Sequence, residues 1–194
     1  FRLVCAIEDN TEMYLHERYF WHKKSGRPKS SRRRLNDTAE YIFHFVKNSQ
    51  FKCFSDEIRV PYAESSLKRV KSPVQIIRSV DENGINVNKK KIMKLNPKGQ
   101  MPSVFFDFNT ASAVRSSSSG KHPAPFNVEL PLWFIRWLTE KNDVVLDPFM
   151  GGGTTAEACI LTGRKYIGFE LNRTYAKFIS ERIELAEEKA GKKT

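Results

Sequence analysis

The stretch "DPFMGGGTT", Asp147 to Thr155, decides the fold. It ends a short apolar run, "DVVLD" from Asp143 to Asp147, of the nearly continuous kind that parallel sheets bury on both faces. It then opens "TTAEACILTG", a helical pattern closed by Gly163. "RKYIGFE" reads as a second strand, and "NRTYAKFISERIELAEEKA" as a long amphipathic last helix. Strand, glycine turn, helix, strand, helix implies a right-handed crossover and a parallel sheet.

The residues in that turn also limit what it binds. Gly151, Gly153 and Ala156 satisfy the G-x-G-x-x-G/A fingerprint, and Glu170, at the end of the next strand, follows Gly151 by 19 residues. An acid there grips a ribose hydroxyl pair, so the pattern points to a nucleoside cofactor. A dinucleotide is the usual first guess, but Asp147 argues against it. A carboxylate beside the turn repels a pyrophosphate seated at the helix N-terminus, where anions gather. It suits a ligand with a cationic amine, such as the methionine half of S-adenosylmethionine. The glycines let backbone approach that ligand without Cβ clashes. No Lys follows them, which weakens a P-loop reading. A strand-to-helix turn that merely needs glycine is the bland alternative, and the paired acid counts against it.

Composition sets the outer bounds. A chain of 194 residues with 40% hydrophobic residues and 14 Phe is long enough to bury a core. A mean hydropathy of −0.51 and the lack of a long apolar run argue against a membrane span. No secretory signal is visible. Cys5, Cys53 and Cys159 are odd in number and have no CxxC spacing, so neither a metal site nor a disulfide framework is suggested, and a cytoplasmic location fits best. The formal net charge of +11 favours a polyanionic partner. The sequence begins at Phe1 and its first Met is Met13, as expected of a fragment, a processed chain or a trimmed one.

Working outward toward the N-terminus, "NVELPLWFIRWLTE" spaces Leu130, Phe134, Trp137 and Leu138 as a helix does, with Pro131 tolerable near its start. From Ser55 to Gly120 periodicity is poor, and the segment reads as an irregular insertion with turn signals at Asn83-Gly84, Pro97 and Gly99. "SSSSG", Ser116 to Gly120, reads as a flexible connection. "MYLHERYFWHK" and "EYIFHFVK" read as an antiparallel strand pair, and "FRLVCAIEDNTEMY" as the end of a helix. The connection between the strands is strongly basic: with Arg18 ahead of it, Lys23, Lys24, Arg27, Lys29, Arg32, Arg33 and Arg34 fall in a span with no acid between Tyr19 and Leu35. That density suits phosphate contacts, although any one of these residues alone reads as a solvated surface charge.

Here a resemblance becomes specific. "HPAPFNVELP", then "DVVLDPFMGGGTT", then "YIGFELN" is similar to the cofactor half of the beta-class amino-methyltransferases of DNA, which modify cytosine N4 or adenine N6. The N-terminal "YFWHKKSGRPKSSRRRLNDTAEYIFHFVKN" resembles the strand, basic loop and strand that precede the recognition region in the same family. The resemblance implies a Rossmann-like α/β methyltransferase fold, a mostly parallel sheet with an antiparallel strand, incomplete at its N-terminus. It implies S-adenosylmethionine as cofactor, held by His122, Pro123, Ala124, Pro125 and Phe126, by Asp147, Pro148, Phe149, Gly151, Gly153, Thr154 and Thr155, and by Glu170 on the ribose. Double-stranded DNA is the implied partner, with Lys23, Lys24, Arg27, Lys29, Arg32, Arg33 and Arg34 against its backbone. Residues 1–62 then form the N-terminal part of the core, 63–119 a variable insertion and candidate recognition region, and 120–194 the cofactor-binding part.

One element of that family has no counterpart. Methylating an exocyclic amine needs a flipped base held against an aromatic face and an acceptor for the amino group. The family supplies these with a D-P-P-Y or S-P-P-Y tetrapeptide, and the 194 residues contain none; "RVPYAE" around Tyr62 lacks the paired prolines. The chain therefore reads as the C-terminal portion of a site-specific DNA methyltransferase, with no catalytic residue of its own to name. Its setting would be restriction-modification, with cytosine N4 favoured and adenine N6 next. The rival reading is a noncatalytic subunit of a split enzyme that binds S-adenosylmethionine and DNA. A nucleotide-binding dehydrogenase domain is the third reading, opposed by Asp147 and the HPAPF element.

Overall fold

The computed structural model describes residues 2–23, 33, 35–36, 38–70, 74–80, 82–92, 94–108 and 126–192, and of 74–79 and 86–92 the backbone only. The chain divides into two compact units, one made of 1–54 with 103–194 and the other of 55–102.

The larger unit opens with helix α1 (Arg2–Asn10), as its spacing predicts. Strands β1 (Tyr14–His22) and β2 (Ala39–Val46) pair antiparallel, with a register shift between Leu15 and Glu17. On the other edge of β1, the short β5 (Phe105–Phe106) pairs parallel, giving the order β2-β1-β5. Alternation along β1 turns Tyr19 and Trp21 to one face, where both are buried. The Trp21 indole N–H donates to the Phe108 carbonyl at 2.9 Å, tying the strand to the segment after β5.

Helix α3 (Glu129–Leu138) covers that face, with Pro131 in its first turn where the missing N–H costs nothing. Phe134 and Trp137 lie 5.5 and 6.0 Å from the Tyr19 ring, and Trp133 lies 4.6 Å from Phe106. Burial and the nearby Glu17 push the Tyr19 hydroxyl up from its ordinary pKa, and burial, with His16 alongside, pulls His44 down. The Tyr19 hydroxyl and His44 Nδ1 share a hydrogen bond of 3.1 Å. The other side of α3 enters a second cluster: Ile135 packs with Ala158 and Cys159, joined by Leu132, Val145 and Tyr166. Burial drives the Cys159 thiol up to about 11, so it behaves as a small core hydrophobe.

That second cluster belongs to the crossover the sequence predicts: β6 (Val144–Asp147), α4 (Thr154–Thr162), β7 (Lys165–Gly168) and α5 (Arg173–Gly191), with β6 and β7 parallel. Gly163 closes α4 in the left-handed region at φ 71°, and the Asn172 side chain caps α5 by accepting from the Thr174 N–H at 3.0 Å. Arg164 pins the layers together, donating to the Thr162 and Thr139 carbonyls and to the Thr139 hydroxyl. Among the described residues, two of the three strand pairings in this unit are parallel.

One expectation for β6 does not hold. Its apolar run predicts burial on both faces, but only Val145 turns into the core, while Val144 and Leu146 stand exposed. The run reflects two faces that can each be covered; the described residues cover one.

The smaller unit corrects another. The stretch whose poor periodicity suggests an irregular insertion contains a short 3-10 turn (Ser55–Glu57), helix α2 (Glu64–Val70) and a hairpin of β3 (Val74–Val80) with β4 (Asn86–Ile92). Three adjacent lysines, Lys89 to Lys91, erase the alternation by which a strand is recognised, while the backbone pairing does not depend on it. The turn at Asn83-Gly84 is where the sequence puts it, with Gly84 at φ 79°. At the base, Val60 and Gln100 bridge antiparallel, and a Cβ on Gly99 would lie 2.3 Å from the Val60 oxygen. "SSSSG" lies outside the described residues.

Candidate functional site

The site forms where β6 and β7 end together. Asp147, the last residue of β6, is paired with Gly168, the last of β7. Beyond them the two chains remain stitched: the Phe169 N–H donates to the Asp147 carbonyl at 3.0 Å, and the Met150 N–H to the Phe169 carbonyl at 2.9 Å. The Asp147 carboxylate turns onto its own loop, Oδ1 accepting from the Phe149 N–H at 3.0 Å. This local bond starts the turn that the glycines complete.

Glu170 sits two residues past the end of β7 rather than within it, and its carboxylate spans the gap to the glycine turn. Oε2 accepts from the Gly151 N–H at 2.9 Å and Oε1 from the Asn172 N–H at 2.7 Å. Both acids are half-buried. The turn thus presents two carboxylates fixed by backbone donors, which hold them in place without a rotamer search when a ligand arrives.

Glycine is required at two points of the loop. Gly151 and Gly153 have φ of 54° and 77°, the region side chains avoid. A Cβ on Gly153 would also stand 3.4 Å from the Cα of Ile179 on α5. Gly152 has open space around it, so its lack of a side chain leaves the outer surface of the loop bare. Gly153 caps α4 with no side-chain bond, leaving the first-turn N–H groups of Thr154 and Thr155 facing the loop. The acid of that first turn, Glu157, is engaged elsewhere, accepting from Arg182 at 2.8 Å with Lys189 at 3.5 Å.

Of the residues named from the sequence, the structure brings together Asp147, Pro148, Phe149, Gly151, Gly153, Thr154, Thr155 and Glu170. Phe126 is half-buried just ahead of α3, while His122, Pro123, Ala124 and Pro125 lie outside the described residues. Among the basic residues, Lys24, Arg27, Lys29, Arg32 and Arg34 also lie outside them, and Arg33 is exposed. Lys23 is paired with Glu40 and sits 5.6 Å over the Trp21 ring. No group of His, Cys, Asp or Glu able to hold a metal ion occurs among the described residues, and no described helix is long and apolar enough to cross a membrane.

Three participants escape a reading of the sequence. Phe149 is expected there, but Leu171, next to Glu170 in the chain, is not; both are almost wholly exposed. An apolar residue directly after the strand-end acid is the available signal. Gly168 and Met150 act as a pair: a Cβ on Gly168 would fall 1.7 Å from the Met150 methyl, so the buried thioether lies across β7 and holds the loop down. Nothing in the sequence announces that contact.

Comparison with known proteins follows the same lines. The family model N6_N4_Mtase, described as DNA methylase, matches residues 1–182. The type II methyltransferase M1.MboII of Moraxella bovis is 32% identical over 190 residues, covering 94% of this chain and 68% of its own length. M.PvuII of Proteus hauseri is 26% identical over 187 residues, 90% of this chain and 56% of its own. A solved structure described as PvuII DNA methyltransferase (cytosine-N4-specific) superposes with a TM-score of 0.66 at 22% identity, covering 99% of this chain and 60% of that one. One described as an M1.HpyAVI-SAM complex superposes at 0.58 and 22% identity, covering 94% and 68%. The fold is that of the DNA methyltransferases, and the chain spans between 56% and 68% of the lengths of the two curated relatives.

Proposed function

The chain belongs to the DNA methylase family whose model covers residues 1–182, and from that membership we propose that it binds S-adenosylmethionine at the glycine turn and serves methyl transfer to an exocyclic amino group of a DNA base. The observation that carries the reading is the pair of carboxylates, Asp147 and Glu170, held at the ends of adjacent parallel strands by backbone donors.

The residues present fit the cofactor by their donor set. Each Glu170 oxygen uses one lone pair on a backbone N–H and keeps another for a ribose hydroxyl. Asp147 has Oδ2 without a partner among the described residues, suited to an ammonium group. Phe149 and Leu171 offer apolar surfaces for a purine, and the bare glycines admit the ligand to backbone. A dinucleotide would bring a pyrophosphate against Asp147, which disfavours it. When bound, S-adenosylmethionine supplies an electrophilic methyl group on sulfur. The neighbouring M1.HpyAVI structure is described as its complex with SAM, which supports the same assignment here.

For the acceptor we favour cytosine N4, with adenine N6 next; the style of "HPAPF" and the cytosine-N4-specific neighbour support that order. Double-stranded DNA is the partner, met by the basic run from Lys23 to Arg34 and by the region 63–119. A type II restriction-modification setting accords with the relatives' names, and the cytoplasm is the location we propose for it. The lack of a D-P-P-Y or S-P-P-Y string favours a second reading beside the first: this chain alone is inactive and works with a separate catalytic subunit or portion.

Titration calorimetry with S-adenosylhomocysteine and, separately, NAD tests the site. Saturable binding of the first and none of the second is expected; the reverse would overturn the assignment. Neutralising Arg32, Arg33 and Arg34 together is expected to weaken binding to duplex DNA. The slope of log affinity against log salt should become shallower by about one for each phosphate the variant no longer neutralises. An unchanged slope would remove that loop from the interface.

A further inference from the structure

Helix α5 meets the candidate site twice. It starts there, since the Asn172 N–H that donates to Glu170 Oε1 belongs to its capping residue. About two helical turns later it returns behind the glycine turn, where a Cβ added to Gly153 would lie 3.4 Å from the Ile179 Cα. One turn further on, Arg182 donates to Glu157 Oε2 at 2.8 Å, and Lys189 Nζ lies 3.5 Å from Oε1. Glu157 is in the first turn of α4, and its N–H donates to the Gly153 carbonyl at 3.0 Å. The same helix therefore holds Glu170 through its cap and the glycine turn through an ion pair.

Stability is a poor explanation for that ion pair. The Glu157 side chain is 12% exposed and that of Arg182 22%. Charges so far removed from water recover little from their attraction, and a well-packed apolar pair of similar volume stabilises as well or better. What the pair supplies is direction. Helices seat by the ridges of one entering the grooves of the other, and here the relief is shallow. The buried side chains of α4 are those of Thr154, Ala156, Ala158, Cys159 and Thr162, and the buried residue of α5 is Ala186. Side chains this small leave the register between the helices loosely set, whereas a guanidinium bound to a carboxylate has a fixed geometry. With Lys189 on its second oxygen, the Glu157 carboxylate is engaged at both ends.

We propose that Arg182, assisted by Lys189, is a positioning residue for cofactor binding: through Glu157 it sets the register of α4 against α5, and with it the spacing between the glycine turn and Glu170. The inference rests on the S-adenosylmethionine reading of the turn given above. Gly151 reports the spacing directly, because its N–H donates to Glu170 Oε2 at 2.9 Å. A small slide of α4 along α5 separates these two halves of the site while leaving each half folded. A ligand that must touch the turn and the acid at once then binds less well.

The test compares the parent chain with Arg182→Met and with the double variant Glu157→Leu, Arg182→Leu, by S-adenosylhomocysteine calorimetry, thermal melts and amide exchange of the ligand-free chain. Arg182→Met is expected to lower affinity about tenfold, and to speed exchange of the Gly151 N–H more than that of Cys159 in the core of α4. The leucine pair is expected to restore the melt but not the affinity, because apolar contact replaces the stability of the ion pair without its direction. An ion pair that merely stabilises would have both restored. Recovery of affinity in the leucine pair overturns the proposal, as does an Arg182→Met chain that binds within about twofold of the parent. Should the leucine pair not fold, exchange in Arg182→Met decides: equal acceleration at Gly151 and Cys159 marks lost stability and overturns the proposal. A parent chain that binds no S-adenosylhomocysteine sinks the cofactor reading by itself. The register is then judged on the Gly151 exchange of Arg182→Met in the same way, faster than Cys159 supporting it and equal overturning it.

Discussion

Two strand pairs in this molecule are made in opposite ways. β6 and β7 are four residues each, parallel, and joined through a helix; the loop from Asp147 to Thr154 is held by named steric and hydrogen-bonding constraints. β3 and β4 are seven residues each, antiparallel, and joined by a short turn at Asn83-Gly84. In the first pair glycine positions, acids and helix termini dictate the backbone, and side chains beyond the loop hold it. In the second the described construction is the turn and the backbone ladder, in a stretch whose sequence carries three adjacent lysines, Lys89 to Lys91. A ligand site needs the first kind of construction, because a fixed backbone is what fixes the carboxylates.

Breaking the first pair should therefore be costly. Gly153→Val places a β-branched residue at φ 77° with its Cβ 3.4 Å from the Ile179 backbone. Left-handed strain of about 1–2 kcal/mol and overpacking of about 1–3 kcal/mol should together lower the melting transition of the larger unit by several degrees or prevent folding. A melt within a degree of the parent would mean the α4–α5 approach relaxes freely. Glu170→Ala is milder for the fold and harsher for the ligand. It strips the carboxylate from the Gly151 and Asn172 N–H groups, in residues that are half-buried and exposed respectively. Affinity for S-adenosylhomocysteine should fall by about 2–3 kcal/mol, roughly 30- to 150-fold, through loss of a charged acceptor. Calorimetry showing less than a threefold change would detach Glu170 from the site.

The contrast also explains which features are legible in the sequence. The crossover, its turn and both acids are legible because each signal is local: a glycine at positive φ, a carboxylate at a strand end, a helix closed by Gly163. The antiparallel pair of β1 and β2 is legible from its aromatic and β-branched content. The hairpin of the smaller unit is not, since Lys89 to Lys91 hide the alternation and only Asn83-Gly84 marks the turn. The Met150–Gly168 contact is hidden for another reason: it is tertiary, joining a loop to the strand paired beside it. Leu171 lies in plain view next to Glu170 but carries no motif. The bare face of β6 runs against expectation because an apolar run reports what a strand can bury rather than what lies beside it.

The smallest effect belongs to the second pair, and it measures how independent that pair is. Gly84 has φ 79° and nothing within 4 Å of an added Cβ, so Gly84→Ala meets backbone strain alone. A cost of about 1 kcal/mol follows, and Gly84→Asn should recover part of it, since Asn tolerates the left-handed region. Because the two units are separate compact bodies, the cost should appear as faster amide exchange across residues 74–92 with rates for 144–168 unchanged. Equal acceleration in both segments would show that the hairpin and the crossover unfold as one cooperative unit, and the contrast between them would then describe how each is built but not how each is stabilised.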